Sequence, residues 1–329
     1  MIYLDSASVD PRFNLALEQY VFDEMDRSQT YFMLWQNAPS IIIGKNQSAA
    51  AEIDSDFVRS RGIPVVRRLS GGGAVYHDLG NLNFTFITDH DETAGIDLVP
   101  FCRIVTDALM TYGVEAQVSG RNDITVDGRK ISGNAQYVRE GRVMHHGCIL
   151  FDTDLTVLGR ALRPDRAKIR SKGIDSVASR VANLSEFLPE GTDVADFKKR
   201  MLLAAARGGD FTMHELSPKE IRRIEEIKTG RYDLWEWNYG RSPAYEIEKT
   251  EYIPGCGTVR VGCGVKEGLI AEVSITGDFF GARDVSELCA ALPGIRAERE
   301  EVTRRLVELS PGEFIAGIAA EQLAGLLVP

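Results

Sequence analysis

Apolar residues recur every three or four positions in some stretches of the chain and alternate or run together in others. Residues 14–25, NLALEQYVFDEM, space Leu15, Leu17, Val21, Phe22 and Met25 at roughly helical intervals after a turn at Pro11, which predicts a helix. Two strand-like runs follow, TYFMLWQ at 30–36 and SIIIGKNQ at 40–47, divided by Pro39. The acidic stretch 52–62 predicts a helix ending at Gly62, and LVPFCRIVTDALMTYG at 98–113 predicts another closed by Gly113. Residues 118–154 read as a three-stranded antiparallel meander, with turns at Asp127-Gly128 and near Glu140-Gly141. Helical segments then run to about residue 230.

The pattern changes near 241–250. Residues 248–280 predict a small antiparallel sheet, and 284–292, 298–309 and 311–328 predict three helices. Together they form a unit of about 80 residues, within the usual size of a domain. The expected fold class is α+β, with a large domain over 1–245 and a small one over 246–329.

Composition narrows the picture. The chain has 329 residues, 44% hydrophobic and 26% charged, the profile of an ordinary globular protein with a substantial core. No run approaches the length of a membrane span. The opening MIYLDSASVDPRFN lacks the basic and apolar regions of a secretion signal. Cysteines 102, 148, 256, 263 and 289 make no C-x-x-C pair, so neither a disulfide framework nor a zinc site is expected. The expectation is a cytoplasmic protein, and nothing in the sequence demands more than a monomer.

A net charge of −10 argues against a nucleic-acid-binding surface. Residues 159–180 run against that sign. They carry Arg160, Arg163, Arg166, Lys168, Arg170, Lys172 and Arg180 against Asp165 and Asp175. Such a run is either a solvated helix face or a local surface for an acidic partner.

Candidate chemistry centres on VVRRLSGGGAVYHDLGNLNFTFI, residues 65–87. No Lys-Ser or Lys-Thr follows the glycines, and Tyr76 stands where a G-x-G-x-x-G motif needs its last glycine. The flanking residues favour extended chain, so the glycines join strand to strand. Backbone amides of Ser70, Gly71, Gly72 and Gly73 would form a concave donor set for an anion, with Arg68, and Arg67 beside it, adding forked donors. In RKISGNAQ, strand alternation puts Lys130, Ser132, Asn134 and Gln136 on one face and Ile131, Gly133 and Ala135 on the other. Taken alone, that polar face reads better as the wet side of a sheet, a reading weakened by Gly133 in mid-strand, which marks a bend or a close approach of backbone. Asn122 and Asp123 open the neighbouring strand, and His145-His146 sends one imidazole to each face of the next. Lys130 would stabilise charge on a phosphoryl or acyl centre, Asp123 would hold Mg²⁺, and Tyr76, Phe84, Phe86 and Trp35 would wall an apolar channel. The parts point to a nucleotide-activating site.

RRLSGGGAVYHDLGN, SGRNDITVDGRKISGNA, HHGCILFDTDL, KGIDSVASRVANL and WEWNYGRSPAY, in this order, resemble the lipoate-protein ligase A family over nearly the whole chain. The resemblance implies a large mixed-sheet domain of the biotin/lipoate ligase type with a small mobile C-terminal domain. It implies a two-step reaction, in which lipoate and ATP with Mg²⁺ give lipoyl-AMP, and a carrier lysine then takes the acyl group. The carriers would be lipoyl domains of 2-oxoacid dehydrogenase complexes or the glycine-cleavage H protein. Carried over by position, the nucleotide-binding stretch covers Arg68, Ser70, Gly71, Gly72, Gly73, Ala74, Val75, Tyr76, Asn83, Asn122, Asp123 and Lys130. Lys130 falls on the essential lysine, which also meets lipoate together with Ala135 and His146, and Asp123 falls beside the metal. Arg160, Arg163 and Arg166 would steer an acidic carrier, while Lys172 and Arg180 stay structural or near the nucleotide.

Position 148 departs from the pattern, with Cys where the family usually has Thr. This keeps open an ATP-independent octanoyl or lipoyl transferase working through a Cys148 thioester, although a small buried core cysteine is the simpler reading. A catalytically silent carrier-binding protein is a third reading, disfavoured by the retained Lys130 and glycine loop. A biotin ligase would show a Gly-Arg-Gly-Arg type of loop, which is absent.

Overall fold

The computed structural model describes all residues except 48, 90–96, 120–121, 163–180, 208, 240–246, 267 and 329. Among them, the largest sheet runs β11 (Thr212–Met213), β1 (Ile2–Asp5), β2 (Tyr31–Trp35), β6 (Asn81–Asp89), β10 (Arg142–Leu150), β9 (Arg129–Arg139), β8 (Asp123–Val126), β7 (Gln117–Ser119). β1 pairs parallel with both β11 and β2, and the remaining pairs are antiparallel.

Both faces of this sheet are covered. β6 alternates Leu82, Phe84 and Phe86 with Asn83 and Thr85, so the two sets face opposite ways. The aromatic face buries under α4 (Val99–Met110) and α6 (Val194–Ala206), through Cys102, Val105, Leu109, Phe197 and Met201. The other face meets α1 (Pro11–Glu24), whose Leu15, Val21 and Phe22 pack on Met33, Ile87 and Met144. Asp10 starts α1 by accepting the Arg12 amide, with Pro11 just inside the helix.

A second sheet orders β4 (Val65–Arg67), β3 (Ser40–Ile43) and β5 (Val75–His77), parallel on one side of β3 and antiparallel on the other. The glycine loop connects β4 to β5, as the strand-like flanks predict. The third sheet, β12 (Ile247–Ile253), β13 (Gly257–Lys266) and β14 (Leu269–Gly277), is antiparallel. It shares a core with α9 (Val285–Ala290), α10 (Arg299–Leu309) and α11 (Ala320–Leu327). This C-terminal unit touches the rest through Gly277 N–H to the Asn46 carbonyl at 2.7 Å, Lys45–Asp284 at 2.8 Å and Arg260–Glu52 at 2.6 Å.

The element pattern departs from the sequence reading in particular places. The 118–154 meander gains β7 as a fourth strand, and β1 and β11 build the opposite edge. The 52–62 helix is two short pieces, α2 (Ala49–Glu52) and α3 (Ser55–Ser60), because Asp54 caps the second. The last helix begins only at Ala320, after a 3₁₀ turn at Pro311–Glu313. Both meander turns carry two positive φ angles, 49° and 74° at Asp127-Gly128 and 51° and 69° at Glu140-Gly141, the signature of type I′ hairpins.

One irregularity in the meander decides where the chemistry lies. Ile124 pairs with Ser132 but Thr125 pairs with Lys130, so Ile131 is an extra residue. Strict alternation would place Lys130 with Ser132, Asn134 and Gln136. The bulge instead turns Lys130 to the face of Gly133 and Ala135, where its Nζ lies 3.0 Å from the position a Cβ would take on Gly133. Ser132, Asn134 and Gln136 are not a wet face: all three are buried, and Gln136 donates to the Asp97 carbonyl next to α4.

Candidate active site

A cleft of about 570 Å³, counting the space at its open mouth, lies between the α1 face of the large sheet and the β3–β5 sheet. Four strands floor it with one row of residues in register, Gly133, Cys148, Asn83 and Trp35. Ala135 and His146 form the next row. Gly73, Ala74, Val75 and Arg68 come from the glycine loop and its flanks, Leu15 from α1, and Asn122 and Lys130 from the edge hairpin. Lys130 Nζ lies 2.6 Å from Asp123 Oδ1.

The loop folds around Arg68. Its Nε donates to Ser70 Oγ at 3.0 Å, Nη1 to the Ile42 carbonyl at 3.1 Å, and Nη2 to the Gly71 and Gly73 carbonyls at 2.6 and 2.8 Å. With the carbonyls turned onto the guanidinium, the amides of Ser70–Gly73 take part in no hydrogen bond among the described residues. Burial pushes the Arg68 guanidinium down to about 10, so it stays charged at neutral pH. Arg68 is therefore first the organiser of the glycine loop, with most of its donors already spent on it.

Arg67 does not reach the cleft. Its Nε donates to the Trp237 carbonyl, Nη1 to the carbonyls of Gly44, Lys45 and Gln47, and Nη2 to that of Asn238. Phe84 and Phe86 do not wall the cleft either. They alternate with Asn83 and Thr85 and enter the core on the α4 side, leaving Trp35 as the aromatic wall. Tyr76 lies in the core with Ile41, Leu150 and Leu158, so that position meets the cleft only through its neighbours Val75 and His77. Gly71 and Gly72 sit under the C-terminal unit. A Cβ on Gly71 would come 2.4 Å from the Phe279 carbonyl, and one on Gly72 would meet the Phe280 ring at 3.4 Å.

Of the histidine pair, each faces its own side as alternation requires. His145 stacks on Phe101 at 4.7 Å within the α4-side core. His146 faces the cleft, with Nδ1 3.0 Å from Glu18 Oε1 and Nε2 2.5 Å from Ser70 Oγ. Glu18 also accepts from Thr85, which in turn accepts from Trp35 Nε1. This network ties α1, the sheet floor and the glycine loop together. Glu18 was not legible from sequence, since a carboxylate on a helix ordinarily faces water.

Two imidazoles are held neutral by burial. His77 is pushed down to about 3, burial first and then the charge of Arg68 and His146, and His145 lies well below the ordinary range for the same reason. The unfolded chain titrates near 6.5, so it binds more protons than the folded one below that pH. Stability is complete above 6.5 and falls as the pH drops toward 3, by up to about 1.4 kcal/mol per pH unit for each imidazole. Urea midpoints measured at neutral pH and well below 6.5 should show the loss, and a His77→Gln variant should lose less.

Arg160 stacks on Phe57 at 4.4 Å. The rest of the basic run, from Arg163 to Arg180, lies outside the described residues, as do Gly240–Tyr245 of the WEWNYGRSPAY motif. Among the described residues no helix is long and apolar enough to cross a membrane.

A mixed sheet whose Gly133, Cys148, Asn83 and Trp35 form the floor, a glycine loop above it and a lysine at its edge frame one cleft. Residues 10–206 match the lipoyl protein ligase A/B catalytic domain, and residues 242–327 match the bacterial lipoate protein ligase C-terminus. The chain belongs to the lipoate-protein ligase family. Lipoate-protein ligase LplJ of Bacillus subtilis (strain 168) is 43% identical over 331 residues, covering 99% of this chain and 100% of its own. P. falciparum LipL1, solved in complex with lipoate, is similar with a TM-score of 0.81 at 25% identity, over 98% of this chain and 97% of its own. A lipoate-protein ligase A bound with ATP gives a TM-score of 0.63 at 27% identity, over 73% and 97%.

Proposed function

We propose that the protein joins free lipoate to a lysine of a lipoyl carrier domain in two steps, with residues 1–245 carrying the chemistry and 246–329 acting as an accessory domain. In the first step a lipoate carboxylate oxygen attacks the α-phosphorus of ATP and pyrophosphate leaves. In the second the carrier amine attacks the acyl carbonyl, AMP leaves with the former carboxylate oxygen, and the amine loses a proton. The observation that carries this reading is Lys130, turned by the bulge onto the face that lines the cleft together with the glycine loop.

Each residue then has a task. The amides of the nest bind phosphate oxygens, and Arg68 holds them in place. Lys130 meets the charge that develops between carboxylate and phosphate. Leu15, Trp35, Ile42, Val75 and Ala135 give the acyl tail an apolar wall and keep water from a hydrolysable intermediate. Among the described residues no three metal-ligating side chains cluster. Asp123 pairs with Lys130 through Oδ1, so its second carboxylate oxygen, with phosphate oxygens and water, would hold Mg²⁺, which when bound would offset the triphosphate charge.

Pyrophosphate exchange into ATP should depend on added lipoate. Acyl transfer between carriers without ATP, with no such exchange, would overturn the reading in favour of the thioester route. Cys148 argues for the ligase. Burial pushes its thiol up despite Lys130 and Arg68 nearby, and a protonated thiol is a poor nucleophile, so Cys148→Ser should leave both steps within about threefold of wild type.

A further inference from the structure

The chain carries a net charge of −10, yet uncompensated guanidiniums gather on one side of it. Arg59 and Arg61 stand at the end of α3, and Arg160 stands at the end of α5 (Leu155–Ala161). All three are exposed, and none makes an ion pair among the described residues. Arg61 and Arg160 both stack on the Phe57 ring, 5.6 and 4.4 Å from its centroid. Stacking of this kind holds a guanidinium without cancelling its charge.

The short helix α8 (Trp235–Asn238) adds an apolar surface beside them. Its two tryptophans have different surroundings. Trp237 Nε1 donates to the Arg67 carbonyl at 2.8 Å, and the ring packs on the α1-side core. Trp235 is 53% exposed and stacks on Tyr239, itself 38% exposed, with centroids 5.9 Å apart. Among the described residues no other aromatic side chain is exposed, and Leu234 extends the apolar surface. Arg12 and Arg59 reach this pair with their charge, since both oppose the upward push that burial gives the Tyr239 phenol. Asp233 offsets Arg12 at 3.5 Å, and Glu236 is exposed on α8, which leaves the three unpaired arginines in excess.

Exposed aromatic rings among arginines have the composition of an interface core rather than of ordinary surface. The charge selects the partner. An acidic protein is repelled by the net charge of this chain and drawn to the side where cations are in excess. We propose that α3, the end of α5 and α8 form a docking surface for an acidic protein domain, the carrier that accepts the acyl group. Trp235 and Tyr239 become buried in the contact, and Arg59, Arg61 and Arg160 pair with carboxylates of the domain. That the domain is the carrier rests on the ligase reading. The surface is tied to the site through Asn238 of α8, whose Oδ1 accepts the Arg67 amide at 2.9 Å, one residue before Arg68 and the glycine loop.

Steady-state transfer at saturating ATP and lipoate tests this, beside lipoate-dependent pyrophosphate exchange. The probe is whichever the wild type modifies of an apo E2 lipoyl domain and apo H protein. The double variant Arg59→Glu/Arg61→Glu and the single variant Trp235→Ser should each raise the KM for the probe about tenfold or more. Exchange should stay within about twofold of wild type, because neither change touches the cleft. Rising salt should lower the wild-type kcat/KM for the probe, and this dependence should flatten in the double variant. An unchanged KM and salt dependence in the double variant overturn the docking surface while exchange leaves the ligase reading standing. So do equal losses of exchange and transfer, which mean a packing role, and a response to the arginines without one to Trp235, which means steering with no contact. A wild-type dimer in sedimentation equilibrium that both variants dissociate would assign the surface to a second copy of this chain and overturn the carrier. Absence of exchange and of transfer to either probe would overturn the ligase reading and the carrier together.

Discussion

Lys130→Ala is expected to abolish lipoate-dependent pyrophosphate exchange while the protein stays folded. The side chain is about one-third exposed, 34%, at the cleft edge, so its removal leaves the buried core untouched. Its charge, however, is placed on a strand and lines the same cleft as the glycine loop. Loss of one preorganised group of this kind costs about 10²–10³ in rate. Here the cost should reach the upper end, because Asp123, 2.6 Å away in the wild type, would also lose the lysine that fixes it where it would hold Mg²⁺. Asp123→Asn added to Lys130→Ala should therefore restore neither the rate nor the nucleotide affinity. Lys130→Arg should also fail. A planar guanidinium is bulkier than an ammonium, and the lysine already lies at 3.0–3.2 Å from the space a Cβ would take on Gly133. A Lys130→Ala protein that retained exchange would remove the basis of the ligase mechanism.

The second large effect is expected at a glycine outside the triple. A Cβ on Gly44 would come 2.1 Å from the Gly72 carbonyl oxygen and 3.2 Å from Arg68 Nη2. Neither neighbour can yield cheaply. Arg68 is bound to the Gly71 and Gly73 carbonyls, and the Gly44 amide and carbonyl are held by Gln47 and Arg67. Overpacking against backbone of this kind costs about 1–3 kcal/mol or more, and the relief available is displacement of the nest. Gly44→Ala should thus lower the thermal midpoint and lose most of the ATP affinity in calorimetry. Gly73→Ala is the contrast. Nothing lies within 4 Å of its Cβ position, so the fold should tolerate it, and any loss of affinity would come from the ligand itself. Indistinguishable effects of the two variants would show that the loop is not held from Gly44.

Sequence patterning gave a sound account of elements and a poorer one of faces. The strand-to-strand setting of the glycines was legible because β-branched and aromatic residues flank them on both sides. The α+β class was legible from the two blocks of strands, each followed by helices. Lys130 was legible as a residue but assigned to the wrong face. Period-2 reasoning has no means of seeing an inserted residue until the partner strand is known. Arg67 and Arg68 look equivalent as a dipeptide, yet one reaches back to Trp237 and Asn238 while the other closes the loop. His77 and Glu18 escaped notice for the same reason. Their partners lie 40 and 128 positions away, and contacts at such separations leave no local period.

The Arg67 knot bears on how the protein is made. Its guanidinium binds carbonyls at 44–47 and at 237–238, and its backbone amide and carbonyl bind Asn238 Oδ1 and Trp237 Nε1, 2.9 and 2.8 Å away. A chain emerging from the ribosome therefore lacks these partners of Arg67 until some 170 further residues have been synthesised. Expression of residues 10–206 alone, the span of the catalytic family match, would leave a buried arginine without its last partners. A fragment that keeps every partner of Arg67 must include Asn238.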